Sequence, residues 1–164
     1  MSGGMKAAAC AHEGEAVGLR DRALAGALGE AERRCVEAEE RLTGPRRRVL
    51  ELLLTSGGPV KAYDLIAAYG AAGEAAKPPT VYRALDFLER LGFAHRLESL
   101  NAYVACRSAE TPHAAAFLIC DCCGATAEFE PGVAPAVELA GARRGYTVRT
   151  LTLEARGLCP ACAA

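Results

Sequence analysis

Apolar residues recur at helical spacing from about residue 19 onward, where Leu24, Leu28, Ala31, Cys35, Ala38 and Leu42 follow one another in steps of three and four. Glu and Arg fill most of the positions between them, the pattern of an amphipathic helix lying on a core. LTGPRRRVLELLLTSGG predicts a second helix, with Thr43 as N-cap, Pro45 in the first turn, an apolar stripe of Val49, Leu50, Leu53 and Leu54, and Gly57 as its stop. KAYDLIAAYG predicts a short third helix ending at Gly70. Beyond the Gly/Ala-rich AAGEAAKPP, the run TVYRALDFLERLG aligns Val81, Ala84, Leu85, Leu88 and Leu91 on one face and stops at Gly92, leaving Thr80, Tyr82, Arg83 and Asp86 off that face. FAHRLES and NAYVACR then read as two short strands around a polar turn at Ser99 to Asn101.

Three helices and a hairpin follow the order of a winged-helix DNA-binding domain, whose third core helix enters the major groove. Many small α+β domains share that order, so function has to rest on particular residues. From residue 107 the texture changes. AAAFLIC and GATAEFE predict strands, PGVAPAVELAGARRG a helix opening near Pro131, and YTVRTLTLEARG a third strand. The expected fold is therefore α+β: a flexible tail at 1–17, a winged-helix unit at 18–105, and a small α/β unit at 106–164. A unit of about 55 residues usually needs a metal or a partner chain to hold together.

The 164 residues, 51% hydrophobic and 24% charged, fit a globular protein. Net charge is −1 overall, but residues 1–40 carry −3, 41–100 carry +3 and 101–164 carry −1. Nucleic-acid binding, if present, must use a local face of the middle segment rather than a global field. The longest apolar run is too short to span a bilayer and the first residues show neither a signal-peptide core nor a basic presequence, so the reading is cytoplasmic, with no membrane partner. In a reducing compartment, eight cysteines point to metal or thiol chemistry rather than to structural disulfides.

Cys120 and Cys123 form one C-x-x-C, followed by Gly124, and Cys159 and Cys162 form another. Each two-residue spacer lets a tight turn present both sulfurs to one tetrahedral ion, and zinc suits four thiolates. A closed shell of that kind is structural, with no open position for substrate. The competing readings are a redox dithiol, which would need only one such pair at a strand-to-helix turn, and a set of buried inert thiols. Cys122 is the odd thiol, read as a spacer pointing away from the ion. Cys10 and His12 could meet a metal but sit in the tail and read as solvated. His95, Cys106, His113 and Glu128 offer N, S, N and O donors, a chemically sound mixed zinc shell. Spacing alone does not group them, because a lone histidine at a strand end also serves as a surface or capping residue.

Taken together, AYDLI, KPPTVYRALDFLERLGFAHRLESLNAYVAC, PHAAAFLICDCCGA and GLCPAC, in that order across roughly residues 42 to 162, resemble the ferric uptake regulator family, and its zinc uptake regulator branch in particular. The resemblance implies a dimeric, metal-responsive repressor with an N-terminal winged helix, a C-terminal dimerisation domain, a structural zinc and a regulatory zinc at the hinge. It places the structural ligands on Cys120, Cys123, Cys159 and Cys162 and the regulatory ligands on His95, Cys106, His113 and Glu128. It places DNA reading on Tyr63 and Arg83, with Tyr82 beside them. TPHAAA stands where iron and peroxide sensors carry a histidine-rich run, and no histidine-rich tail follows Cys162.

The function expected is a zinc-dependent repressor that binds double-stranded operator DNA as a homodimer, with two zinc ions per chain and no small-molecule substrate. Arg83 suits a bidentate contact to guanine, and Thr80 lies on the same helix. Lys77, Arg46, Arg47 and Arg48 are phosphate candidates, against the plainer reading of a charged helix face. A thiol-based redox or peroxide-sensing regulator, using Cys122 or Cys106, is the alternative. A zinc enzyme is disfavoured, since the mixed shell already supplies four protein ligands and the chain lacks an H-E-x-x-H or deaminase-type H-x-E pattern.

Overall fold

In the computed structural model, residues 18–70, 77–106, 115–129, 132–149 and 151–163 are described. They divide into two compact units, one within 18–106 and one within 115–163. The expected tail at 1–17, with Cys10 and His12, lies outside the described residues.

In the first unit, α1 (Asp21–Glu37) buries Leu28, Ala31 and Cys35. It stops five residues short of Leu42, where the apolar periodicity ends. The reason is a left-handed cap: Glu39 has φ 56, its N–H donates to Val36 O at 3.0 Å, and the Glu40 N–H donates to Cys35 O at 2.8 Å. That pair of bonds is the Schellman closure, made here by a glutamate where glycine is the usual residue. α2 (Gly44–Ser56) starts after Thr43 as expected, although the threonine side chain makes no capping bond, and Gly57 ends it at φ 71.

Ahead of α1, the Leu19 N–H and the Arg20 guanidinium donate to Leu54 O (2.8 Å) and Thr55 O (2.7 Å), two of the carbonyls that the end of α2 leaves open. Gly18 makes this approach feasible, since a Cβ there would overlap the Thr55 carbonyl.

α3 (Ala62–Gly70) buries Leu65 and Tyr69, and α4 (Pro78–Arg90) buries Val81, Ala84, Leu85, Phe87 and Leu88. α4 opens three residues before its apolar stripe, because prolines are tolerated in a first turn whose N–H groups have no helical partner. Leu53, Leu65, Leu85 and Leu88 are essentially solvent-free, and each such side chain contributes roughly 1.5–3 kcal/mol by leaving water.

The hairpin consists of β1 (Ala94–Leu97) and β2 (Ala102–Ala105), joined by a 3-10 turn at Glu98–Leu100 with Asn101 at φ 47. Both strands are shorter than their sequence patterns. Val60 and Tyr103 exchange two 2.8 Å backbone bonds and add a third, one-residue rung to the sheet.

The second unit is a three-stranded sheet in the order β4-β3-β5. β3 (Ala115–Cys120) runs antiparallel to β4 (Thr126–Phe129) and parallel to β5 (Thr152–Gly157), the return being made through α5 (Ala134–Ala142). α5 opens later than Pro131, and β5 starts at Thr152 rather than at Tyr146. Gly145, at φ 76, closes α5 with another left-handed cap, the Tyr146 N–H donating to Gly141 O at 3.0 Å, so the residues just after it are committed to leaving the helix. A last short helix, α6 (Pro160–Ala163), carries Cys162. β3 is buried except at Leu118, while Phe129, Val133, Leu139, Tyr146, Leu153 and Leu158 remain exposed.

Candidate functional site

The two C-x-x-C pairs meet at one end of the second unit's sheet. Cys120 ends β3, and the chain turns back at once: the Gly124 N–H donates to Cys120 O (3.0 Å) and the Cys120 N–H to Ala125 O (2.9 Å), with Gly124 at φ 73 where a side chain would be strained. Cys159 and Cys162 follow β5, whose parallel register places Gly157 beside Cys120. The four sulfurs lie within 4.8 Å of one another, and Cys123 Sγ stands 3.7 Å from Cys159 Sγ. A tetrahedral zinc ion with bonds of about 2.3 Å separates its sulfurs by about 3.8 Å. The cage therefore fits zinc in donor type, number and spacing.

Its electrostatics point the same way. Backbone N–H groups of Cys123 and Cys159, the latter 3.3 Å from the sulfur, draw the Cys120 thiol down to about 6. Burial and the neighbouring sulfurs push Cys162 well above the usual thiol range. Four thiolates cannot share this space without a cation, and a divalent ion removes that conflict by deprotonating its ligands outright. Cys122 is exposed and its side chain stands outside the tetrad. One contributor has no signature in the cysteine spacing: Arg156 of β5 holds the Asp121 carboxylate at 2.5 to 2.7 Å and ties the strand to the first knuckle. A carboxylate inside the CDCC run was the available signal.

In the first unit, His95 on β1 and Cys106 just past β2 bring their ligand atoms within 4.8 Å of each other. Hairpin register accounts for it: Ala94 pairs with Ala105, and the Cys106 N–H donates to Phe93 O at 3.0 Å, so residues 95 and 106 stand near one end of the ladder. Both are half-buried. Glu128 belongs to the second unit, half-buried on β4 opposite Phe117. His113 lies outside the described residues.

The expected reading face is open on the first unit. Arg83 is exposed on α4, Tyr82 is 47% exposed, Thr80 is half-buried one turn earlier, and Lys77 is exposed at the helix N-cap. Tyr63, in the first turn of α3, is 79% exposed, a large aromatic surface left facing water. The expectation for residues 46–48 needs correction. Arg46 lies 3.5 Å over the Phe87 ring and donates to Arg41 O, Arg47 pairs with Glu32, and Arg48 bonds Glu51 at 2.9 Å. These arginines stitch α1, α2 and α4 together and are half-buried, so their charge is already engaged within the fold.

A helix-hairpin unit with an exposed third-helix face, followed in the same chain by a sheet closed with two cysteine knuckles, defines a winged-helix regulator with a metal-holding C-terminal module. Residues 37–156 match the ferric uptake regulator family, and the chain belongs to that family. It is 44% identical over 137 residues to the zinc uptake regulation protein of Escherichia coli (strain K12), covering 82% of this chain and 80% of that one, and equally similar to the protein of that name from Shigella flexneri. Among solved structures, a zinc uptake regulator complexed with zinc and DNA superimposes with a TM-score of 0.80 at 42% identity, over 87% of this chain and 97% of the other. The crystal structure of holo XcZur gives 0.74 at 45% identity, over 83% and 96%.

Proposed function

We propose that this chain is a zinc-responsive transcriptional repressor, acting in the cytoplasm, that binds operator DNA as a homodimer and controls zinc uptake genes. The observation that carries the reading is the likeness, over more than four fifths of the chain, to zinc uptake regulators, one of them complexed with zinc and DNA. Supporting it, the exposed side chains of α3 and α4 sit where a winged helix reads the major groove. The exposed apolar residues of the second unit supply a surface that a second copy would cover. The relatives do not favour the thiol-redox alternative.

In this reading Cys120, Cys123, Cys159 and Cys162 hold a structural zinc, and His95, Cys106, His113 and Glu128 hold a regulatory one, giving two ions per chain. The regulatory ion supplies coordination bonds alone. His95 and Cys106 belong to the wing and Glu128 to the C-terminal sheet, so ligation by all of them restricts the hinge. The DNA-binding state is favoured by no more than the ion's differential affinity for it. Tyr63, Lys77, Thr80, Tyr82 and Arg83 then meet the duplex, two copies reading half-sites about one helical turn apart.

A gel shift on A·T-rich palindromic duplexes across buffered free zinc, with elemental analysis of the same sample, tests this. Two ions per chain when DNA-competent and one when not is the expected result. DNA binding that ignores free zinc, or that follows oxidant at constant zinc, would overturn it.

A further inference from the structure

α1 is additional to the three helices and hairpin of the DNA-binding unit, yet its last turn reaches the far end of the helix expected to read DNA. Arg34 donates to Leu91 O at 3.0 Å, capping one of the carbonyls that α4 leaves open, and its guanidinium lies 4.4 Å over the Phe93 ring. Glu40, turned back by the left-handed cap at Glu39, bonds Arg90 at 2.7 Å and approaches Arg46 at 3.8 Å. Both of those arginines lie over Phe87, at 5.3 and 3.5 Å from its centroid. The buried ring thus carries cationic groups that one carboxylate holds in place.

These contacts converge on residues 87–93, one turn beyond Arg83. The buried side chains of α4 seat it on the core, and the contacts of Arg34 and Glu40 bear on its C-terminal end. Holding its C-terminal end sets the depth and azimuth at which Arg83 is presented. We infer that Arg34 and Glu40 are positioning residues for DNA reading: through Leu91, Arg90 and Phe87 they lock α4 in the orientation that sequence-specific contact requires. Neither touches DNA in this scheme. The inference rests on the repressor reading above.

Geometry of this kind affects base readout more than phosphate attraction, because a bidentate contact fails with small displacements whereas charge neutralisation tolerates them. The test uses the full, zinc-loaded chain with Arg34→Met, Arg34→Lys and Glu40→Gln. Two probes are compared: a duplex that the parent selects from a randomised pool, and a scrambled duplex of the same length.

Arg34→Met and Glu40→Gln should each weaken the selected duplex by about three- to thirtyfold while the scrambled duplex changes by less than about twofold and the salt slope is unaltered. Arg34→Lys, which keeps a charge and one donor, should recover part of the loss. Amides 88–93 should exchange faster in the two weakened variants. Equal loss on both duplexes, or unchanged discrimination in Glu40→Gln, a half-buried position whose replacement removes no apolar core side chain, overturns the positioning role. A parent that draws no consensus from the pool overturns the repressor reading, and the positioning role falls with it.

Discussion

Replacing Cys159 by serine should unfold the second unit and leave the first standing. Of the 25 buried apolar residues among the described ones, 20 belong to the first unit and five, Ala115, Ala116, Phe117, Ile119 and Cys120, to the second. All five lie on β3 and three of them, Ala115, Ala116 and Cys120, are small, so the sheet lacks a closed core of its own and depends on the tetrad that joins the ends of β3 and β5. A structural zinc site contributes apparent binding free energy of about 10–16 kcal/mol at neutral pH, against a typical net domain stability of about 5–15 kcal/mol. Serine is a poor zinc ligand, and it removes the sulfur that stands 3.7 Å from Cys123 Sγ while keeping the backbone N–H that donates to Cys120 Sγ. Losing even half of the zinc contribution, about 5–8 kcal/mol, is therefore comparable with the whole net stability of a small domain. Hydrogen exchange read by mass spectrometry gives the unit-by-unit answer. Peptides from 115–129 and 151–163 should exchange completely at early times, while those from α2 and α4 keep parental protection, and dimerisation should be lost in parallel. Parental protection of β3 and β5, together with a zinc content reduced by one ion, would refute the reasoning, since the sheet would then be shown to stand without its clasp.

Arg83→Ala should cost about 1–3 kcal/mol on the cognate duplex and little on random DNA; fluorescence anisotropy on both separates base readout from simple charge. Glu39→Gly should raise thermal stability, because a non-glycine residue in the left-handed region costs about 1–2 kcal/mol and the extra freedom of glycine in the unfolded chain returns about 0.4–1 of it; a fall in Tm would show that the cap is not strained. Burial holds the Glu89 carboxyl above its ordinary range, ahead of the opposing influence of Arg96. The folded chain therefore binds that proton more tightly than the unfolded chain, and ionisation opposes folding above the folded pKa, a cost relieved as pH falls through it. Glu89→Gln should accordingly raise Tm at pH 7 and flatten that part of the pH profile, as differential scanning calorimetry at several pH values would record.

Helix existence was legible because the apolar stripes have the right period: Val49, Leu50, Leu53 and Leu54, and then Val81, Ala84, Leu85 and Leu88, are buried where the pattern put them. Helix ends were less so. Periodicity carries α1 to Leu42, but a backbone turn at Glu39, with no glycine or proline to announce it, stops the helix at Glu37. The cysteine tetrad could be read from spacing because each turn is local and the parallel pairing of β3 with β5 closes the distance between them. His95 and Cys106 could not be paired from spacing, since their proximity depends on hairpin register. Arg46 to Arg48 looked like a phosphate face because sequence shows charge without showing the Glu32, Glu51 and Phe87 that engage it.

The hairpin, α4 and α1 share one short stretch of backbone. Leu91 O accepts from Arg34, the Phe93 ring lies under the same guanidinium, and Phe93 O accepts from the Cys106 N–H at 3.0 Å. A ligand held by His95 and Cys106 would therefore act three residues from the end of the helix that carries Arg83. With Gly92 at φ 70 as the intervening joint, a change in the freedom of Cys106 passes to Phe93 and Leu91 through one hydrogen bond and one ring contact. Zinc titration should thus slow amide exchange at 88–93 as well as in the hairpin, even without DNA. Protection confined to residues 94–106 would mean that the metal steadies the wing alone, and that the reading helix is indifferent to it.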